Sequence, residues 1–484
     1  HVSLAVIDEA HCVSEWGHDF RPSYLHMGST LRKHCSHAGK SPTLVGLTGT
    51  ASFAVLTDIQ MELGITGEEA IIVPRSFDRP ELQFYVKTVP MRSKANALDA
   101  LKNEIPRMLR ANPQGFYDLR GDLTNAGIIF CPHVNGSLGV TGVSGHYGHD
   151  NYFAGTKPKA FRGTVVEWNE HKQRLQESFK RNHIQEIVAT KSFGMGIDKS
   201  NIRYTCHYGV PQSVEAFYQE AGRAGRWRSS DSSKRALCAV IYSDDNWDTA
   251  LQILNEPDHE IALNRLNTVG WSDRGDLMVQ LWLLFSSYAG REQEKSQTLA
   301  FWAKHVKRDV DSLSEGMTKT IDLRLDLNTR DREEKALYRL SLLGVVRDYT
   351  IDWSLHRVSA IVKRINPVEV KAYLRRYLLQ YKFEGYAEAV TRHIPEDSLE
   401  GALEAGIDVL VDFVYDEIVS KRKQALRTMA ELCREFRSDR DFRDSLLAYL
   451  QESEFSPELR DWIGHEFDEV GLLRIEKVLE QVTT

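Results

Sequence analysis

Two arginines three residues apart, Arg223 and Arg226, stand in the run Gln219-Glu220-Ala221-Gly222-Arg223-Ala224-Gly225-Arg226. Guanidinium groups keep their proton and meet phosphate oxygens in a planar fork, so two of them on one surface suit a polyphosphate. On a helix spanning residues 218–226, the i,i+3 spacing places both on one face, and the small residues between them let another surface approach. An Arg-x-x-Arg pair alone is more often a solvated helix face. A second set of reactive types stands near the start of the chain. Asp8-Glu9-Ala10-His11 follows the apolar run 2–7, which reads as a buried central strand. Carboxylates just past the carboxyl end of such a strand lie where α/β sheets bind ligands. In a nucleoside-triphosphate enzyme Asp8 would hold magnesium, directly or through water, and Glu9 would polarise the attacking water.

These groups need two α/β frames. Residues 43–47 read as a second strand after the first acidic turn. Residues 126–131, 186–190 and 202–210 read as further buried strands, and 175–182 as a helix. Phe193-Gly194-Met195-Gly196-Ile197-Asp198 puts two glycines around a methionine, so backbone can approach phosphate or sugar closely. There Asp198 can accept from a ribose hydroxyl or fix the loop. The loop at 12–24 is dense in aromatics, with Trp16, His18, Phe20, Arg21 and Tyr24. Exposed rings of this kind stack on single-stranded bases for about 1–3 kcal/mol each. Some of them would also fold back onto their own core.

Taken together, these segments resemble the RecQ family of superfamily 2 DNA helicases. The run from Asp8 to Tyr24 resembles motif II passing into the aromatic-rich loop. Leu47-Thr48-Gly49-Thr50-Ala51 resembles motif III, with Gly49 in place of an alanine. Ser76-Phe77-Asp78-Arg79-Pro80 resembles the run that closes the first motor domain, with Glu81 replacing an asparagine. Residues 126–131 are similar to motif IV. The run 189–226 matches almost continuously from motif V into motif VI. The match is weakest over 142–170, where residues 152–155 stand in for a short turn with an insertion after it. His146, His149 and Asp150 there are metal-capable types without a diagnostic spacing.

The resemblance implies an α/β fold: two RecA-like parallel-sheet motor domains, the first truncated at its N-terminus, then a helical and winged-helix C-terminal region. The expected divisions are 1–80 and 81–245 for the motors and 246–330 for a helical region. A winged-helix hairpin at 331–366, its tip near Tyr349 and Trp353, and helices over 367–484 complete the chain. The family's catalytic roles fall on Asp8, Glu9, His11, Arg223 and Arg226, with Arg226 at the γ-phosphate. Gln219, Gly196 and Asp198 would face the nucleotide. Trp16, His18, Phe20, Arg21, Thr48 and Thr50 would couple DNA occupancy to hydrolysis. ATP and Mg²⁺ are the implied cofactors, with Mg²⁺ on Asp8. Single-stranded and duplex DNA are the implied partners of a monomer, in a bacterial cytoplasm or a eukaryotic nucleus. The family's zinc module uses four cysteines, and only Cys238 and Cys433 follow Arg226, so zinc is not expected.

Composition bounds the rest. With 484 residues, 42% hydrophobic and 27% charged, the chain can bury about three cores. The net charge of −7 means that nucleic acid must be held by a local groove, not by the field of the whole molecule. The six cysteines form no CxxC pair, and no apolar run has transmembrane length, so no membrane association is expected. No GxxxxGK[ST] occurs; Gly39-Lys40-Ser41 has the last three letters, but His34 stands where the leading glycine belongs. The P-loop is expected upstream of His1, and the chain alone is expected to bind ATP poorly. Two other readings stay open: a motor-less nucleic-acid- or partner-binding remnant, and a DEAH-type RNA helicase. The basic run Lys421-Arg422-Lys423 with Arg427 reads as a solvated helix face.

Overall fold

The computed structural model describes residues 2–13, 25, 27–49, 52–65, 70–72, 76–193, 197–227, 234–326, 329–352 and 355–451. Of the expected site residues, Trp16, His18, Phe20, Arg21, Thr50 and Gly196 lie outside the described residues, as does Trp353.

The first two apolar runs pair in parallel as β1 (Leu4–Ile7) and β2 (Thr43–Gly46), with Leu4 opposite Thr43 and Ile7 opposite Gly46. Helix Met27–Cys35 lies in the crossover and helix Phe53–Leu63 follows β2. Ile7, Ala10, Val13, Leu25, Ile59 and Leu63 form a small core between them. The expectation that the first strand is buried on both faces fails. Leu4 and Val6 are 54% and 53% exposed, because among the described residues β1 has only β2 beside it and nothing covers that face.

The second frame is a six-stranded, all-parallel sheet in the order β3-β8-β7-β4-β6-β5. Its strands are β3 (Leu82–Thr88), β4 (Ala126–Phe130), β5 (Tyr152–Phe153), β6 (Glu186–Ala189), β7 (Ile202–His207) and β8 (Ala236–Tyr242). Every residue of β4 and β8 is buried, which explains their unbroken apolar sequences. Tyr152 and Phe153, read as part of a turn, form the short edge strand. The expected helix over 175–182 begins earlier, at Val165, where Thr164 and Glu167 make a reciprocal capping box. His146 pairs with Asp99 at 2.9 Å, and His149 Nδ1 lies 3.0 Å from Ser144 Oγ.

At the other edge, β3 exposes a row of backbone groups that needs cover. Helix Asp439–Gln451 supplies it. The Phe84 N–H donates to Asp439 Oδ1 at 2.6 Å, the Arg443 guanidinium donates to the Leu82 carbonyl, and Phe442 packs between Phe84 and Phe217. Helix Ser420–Arg434 joins the same core through Leu426, Met429, Ala430 and Cys433. Its basic run is not a free solvated face. Lys423 donates to the Glu256 carbonyl at 2.8 Å, and Lys421 lies 3.7 Å from Asp58 of the first unit. Five cysteines are buried and Cys35 is partly exposed; burial pushes the Cys238 and Cys433 thiols up.

Between these parts lies a third core. The run at 247–266 is two helices, Trp247–Leu254 and His259–Thr268, because Pro257 interrupts it and Asp258 caps the second. Helix Arg330–Leu342 leads into an antiparallel hairpin, β10 (Val346–Asp352) and β11 (Arg357–Lys363), as the sequence implied. A third strand, β9 (Thr318–Arg324), pairs with β11 and was not expected. Tyr349 is not at the hairpin tip. It stands opposite Ala360 within the ladder and packs against the core, and burial pushes its phenol above the ordinary value. Among the described residues no helix is long and apolar enough to cross a membrane.

One buried ion pair ties the helical region to the second sheet. Lys94 Nζ donates to both Asp276 oxygens, at 2.7 and 2.9 Å, and both residues are at most 1% exposed. Burial raises the Asp276 carboxyl and Lys94 opposes that rise. Asp276 also accepts the Ser243 N–H at 2.7 Å. Removing one partner strands the other in low dielectric. Lys94→Ala is therefore expected to destabilise the protein by about 3–5 kcal/mol in urea unfolding, and the pair Lys94→Met with Asp276→Leu by much less.

Candidate functional site

The acidic turn is fixed by backbone. Past β1 the Glu9 N–H folds onto Asp8 Oδ1 at 2.9 Å, and Glu9 takes φ of 52°, a left-handed conformation that non-glycine residues seldom adopt. The Leu47 N–H donates to the Ile7 carbonyl and the Ala10 N–H to the Leu47 carbonyl, each at 2.8 Å. The two segments resembling motifs II and III are therefore held as one piece. Thr48 Oγ1 lies 3.1 Å from His11 Nδ1.

The second frame reaches this piece through Gln219. Helix Val214–Ala221 starts at Ser213, whose hydroxyl accepts the Ala216 N–H, and it carries Gln219 on its last turn. The Gln219 amide Nε2 lies 3.3 Å from Glu9 Oε2 and 3.1 Å from His11 Nε2. With the amide donating, His11 Nε2 accepts, and a proton on Nδ1 faces Thr48. That arrangement suits a neutral imidazole, although His11 Nδ1 also lies 3.6 Å from Glu9 Oε2. Burial pulls the His11 pKa below its ordinary value and Arg223 adds to this, while Glu9, Glu215 and Asp8 pull the other way.

The arginines do not share a helix face. The helix stops at Ala221, and Gly222 and Gly225 turn the chain, with Gly225 at φ of 74°. A Cβ at Gly225 would stand 2.8 Å from Glu81 Cγ, so the turn is also sterically reserved for glycine. Arg223 is 7% exposed; burial and Arg226 lower its pKa, while Glu9 and Glu220 support its charge. Its Nε has no hydrogen-bond partner among the described residues. Arg226 is more open: its Nε donates to the Gly222 carbonyl at 2.9 Å, and its guanidinium lies 3.7 Å from Asp198. The structure thus gathers Glu9, His11, Thr48, Gln219 and Arg223 at one place and sets Arg226 with Asp198.

Asp8 is exposed at the carboxyl end of β1. Among the described residues no three His, Cys, Asp or Glu side chains cluster as a metal site. One carboxylate completed by water and phosphate oxygens is a common way to hold Mg²⁺, and Asp8 fits that role. Gly39-Lys40-Ser41 is placed for something else. His37 and Lys40 exchange two backbone hydrogen bonds of 3.0 Å around a tight turn at the amino end of β2, the pole opposite the acidic turn. A cavity of about 520 Å³ opens at the carboxyl ends of β4, β6 and β7. Lys191 and Gln212 line it from the second frame, Ser52 and Asp58 from the first, and Arg422 from the C-terminal helices.

Residues 125–228 match the family model described as "Helicase conserved C-terminal domain". The chain is 31% identical over 304 residues to "ATP-dependent DNA helicase RecQ" of Pasteurella multocida, covering 61% of this chain and 40% of that protein. It is 35% identical over 242 residues to "ATP-dependent DNA helicase Q1" of Pongo abelii, covering 49% and 31%. Over about half its length this chain is similar to RecQ-family DNA helicases. It is also 35% identical over 227 residues to "Probable ATP-dependent DNA helicase RecS" of Bacillus subtilis, covering 46% of this chain and 39% of that one. The chain thus spans well under half the length of these RecQ relatives. Among solved structures, "DEAD-box helicase Mss116 bound to ssRNA and UDP-BeF" aligns with a TM-score of 0.36 at 16% identity, covering 63% of this chain and 56% of that one.

Glu215, which acts on His11, and Arg79 and Arg443, which hold the link beside the arginine turn, were missed. Arg79 lies inside a family-like run, but Arg443 has no local signal. The imidazole's depressed pKa has a measurable consequence. The unfolded chain binds a proton near pH 6.5 and the folded His11 binds it only lower, so the stability due to neutral His11 is present above pH 6.5 and falls as pH drops through the folded pKa. Stability against pH is therefore expected to decline less steeply below pH 6.5 in His11→Gln than in the unaltered protein.

Proposed function

We propose that this chain is part of an ATP-dependent 3′-to-5′ DNA helicase of RecQ type, coupling ATP hydrolysis to movement on single-stranded DNA and to duplex unwinding. The observation that carries the reading is the Gln219 amide set between Glu9 and His11, with Arg223 buried behind them. It supports a nucleotide cleft whose acidic wall comes from the first frame and whose arginine wall comes from the second. In this reading Asp8 holds Mg²⁺, Glu9 orients and deprotonates the attacking water, and Arg226 leaves Asp198 to meet the γ-phosphate beside Arg223. Thr48, tied to His11, passes DNA occupancy from the aromatic loop to Glu9. Bound ATP supplies the leaving group, and the protein's share is orientation and charge stabilisation. Single-stranded and duplex DNA are the proposed partners of a monomer, in the bacterial cytoplasm or the eukaryotic nucleus.

A phosphate cradle is not encoded in these 484 residues, so the proposal extends to their activity alone. The isolated chain is expected to show no DNA-stimulated ATP hydrolysis, and a protein that also contains a P-loop segment is expected to show it. Stimulated turnover by the isolated chain overturns that half of the proposal. In the P-loop-containing protein, Arg226→Ala is expected to cut ATP turnover by about 10³ while single-stranded DNA binding changes little. Equal loss of both would make the arginine structural or a DNA contact. Stimulation by single-stranded RNA in place of DNA would favour an RNA helicase, and no turnover from either protein would favour a motor-less binding remnant.

A further inference from the structure

The arginine turn is held from two sides: its Gly222, Arg223 and Ala224 N–H groups donate back to the carbonyls of Tyr218, Glu220 and Ala221 on its own helix. Its carbonyls are taken by Arg79, whose guanidinium donates to the Gly222 carbonyl and to the Ala224 carbonyl, each at 3.3 Å. The Gly222 carbonyl is the same oxygen that accepts Arg226 Nε. Arg79 sits in the link between the two motor frames, and Glu81 pairs with its Nε. That link is gripped in turn from the far end of the chain. Arg443 of helix Asp439–Gln451 donates to Asp78 Oδ1 at 2.7 Å, to the Arg79 carbonyl at 3.0 Å and to the Leu82 carbonyl. The Arg443 side chain is 16% exposed and packs over the Phe84 ring at 5.0 Å. Two further bonds run alongside. Tyr218, on the Gln219 helix, donates its hydroxyl to the Phe77 carbonyl, and Tyr449 donates to Glu215 at 3.1 Å.

We infer that Arg443 is a positioning residue for nucleotide hydrolysis. It fixes the Asp78–Arg79 link, Arg79 fixes the turn of residues 222–224, and the turn sets where Arg223 and Arg226 stand. The C-terminal helix is thereby part of the catalytic geometry, although it touches no reacting atom. Three contacts from one planar fork fix the link in direction as well as distance, which a lysine ammonium in that place cannot reproduce. The inference rests on the reading of these arginines as phosphate contacts.

The test uses the full-length protein that carries this chain, with single-stranded DNA saturating. Arg443→Ala is expected to lower kcat for ATP by about 10- to 100-fold, as displacement of a positioned group does, with KM for ATP changed little. Arg443→Lys is expected to recover only part of it. Phe442→Ala loosens the same helix without removing the three donors, and it is expected to lower the melting temperature with a much smaller fall in kcat. The decisive measurement is the double variant. In an Arg226→Ala background, Arg443→Ala should add little, because both act through the same turn. If Arg443→Ala lowers kcat by the same factor in both backgrounds, or tracks Phe442→Ala in melting temperature and kcat alike, the positioning role is overturned. If Arg443→Ala does not fold, the same comparison with Asp78→Asn decides it. If Arg226→Ala itself leaves turnover unchanged, the phosphate-contact reading has failed, and this inference falls with it.

Discussion

The bond between the Gln219 amide and His11 is weak by design of its chemistry, and much depends on that weakness. An amide meeting a neutral imidazole contributes about 0.5–1.5 kcal/mol net, with no charge to desolvate when it forms or breaks. Together with the same amide's approach to Glu9, it joins the arginine-bearing frame to the acidic turn. The joint on the other side of the second sheet has the opposite character. Lys94 and Asp276 are buried and charged, and separating them leaves two unpaired ions in low dielectric. The molecule therefore has one stiff joint and one soft one. The sheet β3–β8 and the helices from Trp247 to Ser286 form a single body, and the first frame rests against it through contacts that can be remade.

A third set of contacts tempers this picture. Lys33 and His34 both lie 2.7 Å from Asp348 of the hairpin, whose carboxyl they pull below the ordinary range against the effect of burial. Tyr338 and Leu342, from the helix before the hairpin, pack into the first frame's small core. That core is small for its task, and the hairpin module enlarges it. Motion of the first frame against the second sheet therefore also works against the hairpin.

What the sequence made legible follows physical lines. β4 and β8 were readable because strands buried on both faces must be apolar throughout. β9 was not, because Ile321 is its only buried residue, Leu323 is half-buried and the other five are polar and exposed. The two arginines were legible as a chemical pair, but their geometry was not. The i,i+3 rule assumes a continuing helix, and Gly222 and Gly225 end it. Tyr349 was misplaced because a hairpin's register sets which residues lie at its tip, and composition alone does not give the register. The pairing of motif-like segments across the cleft came from resemblance, since nothing local connects Gln219 to His11. Arg443 was invisible for the same reason, in a stronger form.

That long reach bears on how the chain comes to be folded. The bond from Arg443 to Asp78 spans 365 residues, and the one from Asp439 to Phe84 spans 355. During synthesis β3 pairs with β8 long before residue 439 exists, so for that interval the outer edge of the sheet is bare. Closing so long a loop adds little entropy beyond a shorter one, since the penalty grows only with the logarithm of length. The delay is the larger matter. A nascent chain interrupted before helix Asp439–Gln451 emerges would present an unpaired parallel edge to any other extended segment, a setting in which strands add to one another. The last described helix thus closes the β3 edge of the sheet, and it is among the last parts of the described chain to be made.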